Sequence, residues 1–426
     1  MKIHIVQPGE TVQSIAALYG VSSQRLIFDN QLTDLPYLPV GMSILVLNPS
    51  LVHTVKEGET ATEIAAMYGL SERKLYQNNP YLLNREYLIS GQNLVIQYEG
   101  QEEQKLYVIG YAYPFIQKDI LREALLYLDE LLVFSYGFTT NGELLPPQIP
   151  EDWMIQLAWQ MNVRPILVLT PFCDQRTFNN QLVKQVSENW EVQQNLIQNL
   201  LETVREKGYA GVDVDFEYIL PEDREGYVAF VERLREVMNQ EDYQVSVALA
   251  PKTSEEQKGL LYEGMDYGPL GASANQVFLM TYEWGYMYGP PMAIAPLNKV
   301  RQVLDYAITV IPRDKILMGI PNYAYDWRLP FERGVSQAEI IGNIEALRRA
   351  AISGAPIQYD NVAQSPWYSY LQNGAAHQVW FEDVRSIEAK VRTAIAYEFL
   401  GIGYWNLMKP FRANWLLLNV LLQFSR

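Results

Sequence analysis

The stretch GYAGVDVDFEY, residues 208–218, places three acids at alternate positions in an apolar segment. The acids are Asp213, Asp215 and Glu217, and the positions between and before them hold Val212, Val214 and Phe216. Because successive side chains of a β-strand point to opposite faces, this spacing predicts a strand with one acidic and one apolar face. Neighbouring carboxyl groups that are out of water cannot all ionise easily. The pattern therefore favours a functional site over a solvated edge strand.

Seven similar apolar segments accompany the acidic strand, which is the fourth of eight. The others read YVIGYAYPF, LLVFSYGF, RPILVLTPF, YQVSVALAP, NQVFLMTYEW, KILMGIPNYAY and GIGYWNL. Segments with helical spacing of apolar residues lie between them, such as NWEVQQNLIQNLLETVREKG. Eight alternating β and α units predict an α/β protein with a closed (β/α)8 TIM barrel over residues 106–426. We expect residues from about 328 to 382 to form a small inserted α+β subdomain.

The position of the acids within this barrel predicts their chemistry. The apolar face of the strand would pack on the surrounding helices, and the acids would line the inside near the mouth. Active sites of such barrels lie at the carboxyl ends of the strands, and Glu217 is the acid nearest that end. A carboxyl group there with a raised pKa could donate a proton to a glycosidic oxygen.

Two copies of one small unit precede the barrel. HIVQPGETVQSIAALYGVS, from His4, recurs as HTVKEGETATEIAAMYGLS, from His53, a shift of 49 residues. Each copy predicts a short strand, a helix capped by Thr11 or Thr60, a second helix and a closing strand. The units cover residues 2–48 and 51–97. Residues 98–105, YEGQEEQK, are polar and predict a short linker.

Composition and charge exclude several classes of function. The chain has 33 basic and 49 acidic residues and a net charge of −16, which repels nucleic acid. No run of 18 apolar residues predicts a membrane span, and no apolar segment after Lys2 predicts a secretory signal. The one cysteine, Cys173, cannot form an intramolecular disulfide and is expected to be a structural thiol.

Histidine placement gives no metal-binding pattern. His4 and His53 occupy equivalent repeat positions, and His377 has no partner in the sequence pattern. We expect neither a metal ion nor a cofactor, and no protein partner is predicted.

The two N-terminal repeats resemble LysM modules. Both have GET near the start, an Ala-rich first helix that ends in Tyr-Gly, and a late Gly before an apolar strand. The resemblance implies binding of an N-acetylglucosamine polymer such as peptidoglycan or chitin, in a groove between the first turn and the loop after the second helix. The positions implied near that groove are Gly9, Glu10, Thr11 and Leu38 in the first repeat and Gly58, Glu59, Thr60 and Leu88 in the second.

The barrel resembles family 18 glycoside hydrolases. AGVDVDFE resembles their fourth-strand signature Asp-Gly-x-Asp-x-Asp-x-Glu, and MTYE, GIPNYAY and GYWNL match motifs of strands six, seven and eight in the expected order. The resemblance implies a retaining hydrolysis in which the substrate's own acetamido group assists.

The resemblance also implies roles for individual residues. Glu217 would be the general acid and then the base, Asp215 would orient the acetamido group, and Asp213 would hold Asp215 and help to share a proton. Tyr282 would hydrogen-bond the acetamido group, and Trp405 would form the floor beneath the reacting sugar. The further sugar contacts implied are Met280, Glu283, Asn322, Tyr323 and Asp326.

Two positions depart from the family pattern. Ala210 stands where the signature begins with Asp, and Glu283 stands where the family has the shorter Asp. We expect the first change to remove one partner from the carboxylate network and to leave the acid and its assistant intact.

The combination of two LysM-like repeats with this barrel resembles the spore-associated N-acetylglucosaminidases that act on cortex peptidoglycan during germination. It implies synthesis in the cytoplasm without a signal peptide and a location in the coat and cortex region of the spore, where the repeats would tether the enzyme to its polymer. Two alternatives stay open at this point. One is a chitinase, and the other is a glycan-binding protein whose barrel has lost catalysis.

Overall fold

The computed structural model describes residues 1–85, 87–102, 104–172 and 178–424. The prediction for Cys173 lies outside the described residues. Among the helices of the described ranges, none combines the length and the apolar character that crossing a membrane requires.

The centre of the molecule is a closed barrel of eight parallel strands, as predicted. The first strand pairs with both the second and the eighth, so the sheet closes on itself. A two-residue strand, Leu144–Leu145, pairs antiparallel with the end of the second. The eight barrel strands, in chain order, are Tyr107–Ala112, Glu130–Phe138, Arg164–Leu169, Gly211–Val214, Gln244–Leu249, Gln276–Leu279, Ile316–Pro321 and Gly401–Trp405.

Helices surround the barrel and cover the outer faces of its strands. The longest, Trp190–Lys207, begins at Asn189, whose side chain accepts hydrogen bonds from two backbone N–H groups, and ends at Gly208 in the left-handed conformation (φ 77°). The helices of the barrel region are Lys118–Leu125, Asp152–Gln160, Asn180–Glu188, Trp190–Lys207, Arg224–Asn239, Tyr267–Ser273, Leu297–Val310, Val384–Ala396 and Arg412–Leu421, with short 3-10 turns at Pro221–Asp223 and Arg313–Lys315.

Each N-terminal repeat has the predicted order of strand, helix, helix and strand. Thr11 and Thr60 cap their first helices, and each hydroxyl accepts a hydrogen bond from a backbone N–H three residues later. The first repeat comprises Lys2–Ile5, Val12–Tyr19, Ser23–Asp29 and Ser43–Val46, and the second comprises Pro49–Thr54, Ala61–Met67, Glu72–Asn78, a 3-10 turn at Pro80–Asn84 and Asn93–Tyr98.

The inserted subdomain begins at Ala324, a few residues earlier than expected. The segment KILMGIPNYAY was expected to be one strand, but it is divided between the seventh barrel strand, which ends at Pro321, and the first strand of the insertion. The change of direction occurs at Asn322, whose side-chain amide donates to two carbonyl oxygens of the loop after the eighth strand. The insertion contains the antiparallel strands Ala324–Leu329, Glu339–Ile341, Gln358–Asp360, Ser365–Gln372 and Ala375–Trp380 and the helix Asn343–Ser353.

The repeats are packed against the rest of the chain. In the second repeat, the Arg73 guanidinium donates to three carbonyl oxygens at the end of the helix Lys118–Leu125, and the Lys74 ammonium donates to Asn419. The first repeat shares a buried apolar cluster with the insertion. The polar segment 98–105 is hydrogen-bonded too, since the N–H of Glu102 donates to Val420 O. The expected linker is therefore held in place, and the repeats are fixed relative to the barrel.

Candidate active site

The fourth barrel strand ends earlier than the sequence pattern indicated. It comprises Gly211–Val214, so Asp213 lies on the strand, whereas Asp215 and Glu217 follow it in the loop at the barrel mouth. The apolar positions pack outward as expected. The ring of Phe216 stacks on Tyr227 and Phe230 of the following helix. Alternation thus continues beyond the strand and directs the acids to one side.

Asp213 is fully buried beneath the site. Its Oδ1 accepts a hydrogen bond from Ser246 Oγ at 2.5 Å, and its Oδ2 accepts one from Tyr111 OH at 2.9 Å. Burial raises the pKa of Asp213 to about 6, and these two hydrogen bonds act in the opposite direction. Its oxygens are held by the first and fifth barrel strands, and the negative charge of Asp213 raises the pKa of Asp215.

Asp215 lies nearer the mouth and lines a cavity of about 350 Å³. Its Oδ1 is buried and has no hydrogen-bond partner among the described residues. Burial raises the pKa of Asp215 well above its ordinary value, and the charges of Glu217 and Asp213 raise it further. A buried carboxyl oxygen without a partner is costly in the free protein and is available to a polar group of a ligand.

Glu217 lines the same cavity beside Asp215. Burial raises the pKa of Glu217 to about 7, and the charge of Glu283 contributes in the same direction. A carboxyl group with such a pKa is largely protonated in weakly acidic solution, so it can donate a proton, and it can take one back afterwards.

Glu283 is held at the cavity wall by two phenol groups. Its carboxylate accepts hydrogen bonds from Tyr323 OH and from Tyr325 OH, the latter at 2.9 Å. Its backbone has a positive φ of 66°, which is uncommon for a residue with a side chain. Tyr323, predicted as a sugar contact, therefore holds Glu283 in the described structure.

Trp405 and Tyr282 form further parts of the cavity. Trp405, at the end of the eighth strand, contacts the rings of Phe134, Tyr111 and Tyr113 at centroid distances of 5.0, 5.5 and 6.1 Å. Tyr282 is almost completely buried. The cavity is lined by Tyr111, Tyr113, Phe134, Ser135, Phe172, Phe178, Asp215, Glu217, Ala248, Phe278, Met280, Tyr282, Glu283 and Trp405.

Besides Tyr323, two further predicted sugar contacts, Asn322 and Asp326, are not among the residues that line this cavity. Asn322 is buried and bonds to the carbonyl oxygens of Asn406 and Lys409. Asp326 lies inside the insertion, where its carboxylate accepts hydrogen bonds from Arg349 and Tyr370 and lies 2.9 Å from His377 Nδ1. Both side chains are occupied by structural contacts, and these positions do not fit the predicted role. His377 also has a partner that its sequence context did not reveal.

The expectation for Ala210 also needs correction. Ala210 precedes the fourth strand, and by alternation it belongs to the face of Val212 and not to that of Asp213. It lies at the end of the strand opposite Glu217. An acid at position 210 would therefore not join the carboxyl groups at the mouth, and the replacement removes no partner from them.

Sequence reasoning missed most of the aromatic lining. The first and second strands contribute Tyr111 and Phe134, and the loops after the first and third strands contribute Tyr113 and Phe172. Position was an available signal for Tyr113 and Phe172, which lie near the carboxyl ends of their predicted strands, whereas Tyr111 and Phe134 lie in the middle of theirs.

The second repeat has a groove at the predicted place. Gly58, Glu59, Thr60 and Leu88 line a cavity of about 400 Å³ together with the exposed ring of Tyr87. The Glu59 carboxylate is engaged, since Oε2 lies 2.8 Å from His53 Nε2 and accepts the N–H of Lys56 at 2.7 Å.

In the first repeat, Gly9 and Thr11 are exposed, while Leu38 packs against the cluster shared with the insertion. Glu10 makes the same contacts as Glu59, with His4 at 2.7 Å and the N–H of Gln7 at 2.7 Å. Across the described ranges, no group of three or more His, Cys, Asp or Glu residues is placed to hold a metal ion.

Comparisons with known proteins agree with this geometry. The curated relatives include the cortical fragment-lytic enzyme of Bacillus subtilis, which is 38% identical over 299 residues, or 70% of this chain and 69% of the relative. The putative sporulation-specific glycosylase YdhD of the same organism is 32% identical over 419 residues and 98% of each chain. The crystal structure of the Bacillus cereus spore cortex-lytic enzyme SleL superposes with a TM-score of 0.83 at 32% identity and covers 99% of this chain and 98% of its own.

The family models match the two parts of the chain separately. The LysM domain model matches residues 4–46 and 53–97. The model of glycosyl hydrolases family 18 matches residues 176–409, which is more than half of the chain and includes the acidic strand and Trp405. On the geometry of the barrel and its acids together with these matches, the chain belongs to glycosyl hydrolases family 18.

Proposed function

We propose that this protein is a spore cortex-lytic N-acetylglucosaminidase, which hydrolyses the β-1,4 bond after N-acetylglucosamine in cortex peptidoglycan or its fragments during germination. The observation that carries the proposal is the pair of acids in the cavity. Glu217 has a pKa near neutrality, and Asp215 presents a buried oxygen without a partner. Relatives named as cortical fragment-lytic enzymes support the choice of polymer.

The first step breaks the glycosidic bond. The protonated carboxyl of Glu217 donates its proton to the glycosidic oxygen, and the carbonyl oxygen of the substrate's acetamido group bonds to the anomeric carbon as the leaving group departs. Asp215 accepts the acetamido N–H and stabilises the positive charge of the resulting oxazolinium ion. Tyr282 OH donates to the acetamido group, and Trp405 supports the apolar face of the sugar.

The second step restores the enzyme. The Glu217 carboxylate takes a proton from water, and the oxygen of that water attacks the anomeric carbon and opens the oxazolinium ring. Because each step inverts the anomeric carbon, the product retains the configuration of the substrate. The raised pKa values of Asp213, Asp215 and Glu217 mean that the carboxyl cluster holds protons near neutral pH, which avoids three adjacent charges.

The repeats bind the polymer and place the enzyme in the coat and cortex region of the spore. The groove of the second repeat, with its exposed Tyr87, suits the apolar face of a sugar ring. Because the repeats are packed on the barrel, they hold the glycan in a fixed position relative to the cavity and do not act as a flexible tether.

Mass spectrometry of the products from purified cortex peptidoglycan tests the proposal. We expect reducing-end N-acetylglucosamine from the wild-type protein. For Glu217→Gln we expect no products and unchanged sedimentation with the polymer, because the amide keeps the shape of the acid but cannot donate its proton.

Three outcomes would contradict the proposal. Products that end in reducing muramic residues indicate a muramidase. Cleavage of colloidal chitin without cleavage of cortex peptidoglycan indicates a chitinase. Binding without any product from either polymer indicates a glycan-binding protein.

A further inference from the structure

The side chain of Asn322 joins three parts of the molecule beside the catalytic cavity. Asn322 lies between the seventh barrel strand and the first strand of the insertion. Its Nδ2 donates to Asn406 O at 3.0 Å and to Lys409 O at 2.9 Å, both in the loop after the eighth strand. Its Oδ1 accepts a hydrogen bond, at 3.3 Å, from Nδ2 of Asn343, the first residue of the insertion's helix. Each polar group of this buried side chain therefore has a partner in the protein.

Backbone groups at both ends of these hydrogen bonds set the orientation of the Asn322 amide. The N–H of Glu382 can only donate, and it donates to Asn343 Oδ1 at 2.9 Å. Asn343 therefore presents its Nδ2 to Asn322, whose Oδ1 accepts. The two carbonyl oxygens at the other end can only accept, so they require the Nδ2 of Asn322. A flipped amide would leave these groups unpaired, which costs free energy in a buried place.

The loop that Asn322 holds begins at Trp405. The backbone N–H of Asn322 donates to Trp405 O at 2.8 Å, and its side chain binds the next carbonyl oxygen, that of Asn406. From the other side, the N–H of Leu407 donates to Tyr111 O at 2.9 Å. Because the eighth strand lies between the seventh and the first, the loop is fixed from both neighbouring strands.

We propose that Asn322 is a positioning residue, which fixes the loop after the eighth strand relative to the insertion and so holds the Trp405 indole beneath the reacting sugar. The inference rests on the proposed function, in which Trp405 is the floor, and deepens it. Asn343 belongs to the insertion, so this part of the chain supports the reaction through hydrogen bonds that do not involve the substrate. A displacement of the floor by about 1 Å is enough to slow the chemical step strongly.

A double-mutant cycle with Trp405 tests this proposal. The substrate is the alternating tetrasaccharide of N-acetylglucosamine and N-acetylmuramic acid, with its reducing end reduced. kcat/KM is measured for the wild type, Asn322→Ala, Trp405→Leu and the double variant, with enough enzyme to detect slow cleavage. We expect Asn322→Ala to lower kcat/KM at least about tenfold in the wild-type background. With Trp405→Leu no indole is left to position, and the same change should lower it by less than about threefold.

Asn414→Ala is the matched control. Asn414 is also a buried asparagine, and its Oδ1 accepts a hydrogen bond from Tyr404 OH at 2.8 Å. Tyr404 precedes Trp405 on the eighth strand and therefore points to the opposite face, away from the cavity. Asn414→Ala should change kcat/KM per folded enzyme by less than about twofold in either background. A simple loss of folded protein lowers kcat/KM by the same factor in both backgrounds, so it cannot imitate the expected result.

Asn343→Ala provides the same test should Asn322→Ala fail to fold. It removes the group that orients the Asn322 amide and leaves the two donors of Asn322 in place. We expect about a threefold loss of kcat/KM, which should likewise disappear in Trp405→Leu. An unchanged kcat/KM in Asn322→Ala, or an equal loss in both backgrounds, would overturn the inference and leave the proposed function intact. Absence of cleavage by the wild-type protein would instead refute the proposed function and the inference with it.

Discussion

At the scale of single residues, the proposed chemistry depends on the pKa values of the buried carboxyl groups. Burial raises the pKa values of Asp213, Asp215 and Glu217, and hydrogen bonds partly offset this at Asp213. Glu283 adds a nearby negative charge that favours the protonated form of Glu217. Glu283, at the position where the family has Asp, thus favours the protonated form of the proposed catalytic acid.

The alkaline side of the pH profile should report this interaction. In the proposed mechanism Glu217 donates a proton only when it is protonated, so kcat/KM on a soluble fragment should fall as pH rises through about 7. Glu283→Gln removes a charge that raises the pKa of Glu217, and the fall should move to lower pH. Glu206→Gln, an exposed acid on the helix Trp190–Lys207, should leave the profile unchanged. Equal profiles for Glu283→Gln and the wild type would contradict the assigned interaction.

The same raised pKa makes Glu217 costly for stability. The folded protein binds the proton of Glu217 more tightly than the unfolded chain does, since the pKa of an unfolded glutamate is about 4.5. The contribution of Glu217 to stability therefore decreases as the pH rises from 4.5 towards 7. Glutamine cannot ionise. Glu217→Gln should therefore raise the free energy of unfolding at pH 8 by about 1–3 kcal/mol and change it little at pH 4. Urea unfolding at both pH values measures this, and an equal gain at pH 4 would exclude ionisation as the cause.

At the scale of secondary-structure elements, the second helix of the second repeat connects that repeat to the barrel. Arg73 donates to the carbonyl oxygens of Leu125, Leu126 and Leu128 at 3.1, 2.9 and 2.7 Å. These carbonyls lie at the carboxyl end of the helix Lys118–Leu125, where a cation is favourable. A residue of the repeat thus caps a helix of the barrel.

Loss of this cap should destabilise the whole chain. Arg73→Met keeps part of the apolar stem and removes the donors, and we expect it to lower the free energy of unfolding by about 2–3 kcal/mol. Arg333→Met, at an exposed position of the insertion, is the control and should change it by less than about 0.5 kcal/mol. Chemical denaturation compares the two, and similar values for both variants would show that the cap contributes nothing.

At the scale of the whole molecule, the repeats, insertion and barrel share buried surfaces. Val6, Ile15 and Ile44 of the first repeat belong to one apolar cluster with Ile357 and Phe381 of the insertion. The second repeat packs on the terminal helix through Asn78 and Asn419, whose side chains are 2.8 Å apart. Removal of the repeats would expose these apolar and polar surfaces together.

Deletion of residues 1–97 should therefore give a barrel that aggregates or melts at a lower temperature than the full chain. Light scattering and thermal unfolding measure this. A deletion variant as stable as the full chain would show that the contacts between repeats and barrel are dispensable.

Tyr87→Ala tests glycan binding separately, since the Tyr87 ring is exposed in the groove of the second repeat. This variant should keep the wild-type melting temperature and sediment less with insoluble peptidoglycan.

The sequence by itself determined the elements and their order. Alternation in residues 211–217 predicted the sides to which the acids and the apolar residues point, and the eight apolar segments predicted the barrel. The shift of 49 residues between the copies identified the repeats and their caps. These predictions succeeded because alternation, helical spacing and capping are properties of neighbouring residues.

Only the tertiary structure decided what these elements contact. Closure of the barrel brings Tyr111 and Ser246, from distant strands, onto Asp213, and it gathers the aromatic lining of the cavity from several strands and the loops that follow them. It also places Asp326 in the insertion, and it packs the repeats on the barrel where a linker had been expected. No local pattern encodes these contacts, because they join residues far apart in the chain and depend on how the closed sheet brings its strands together.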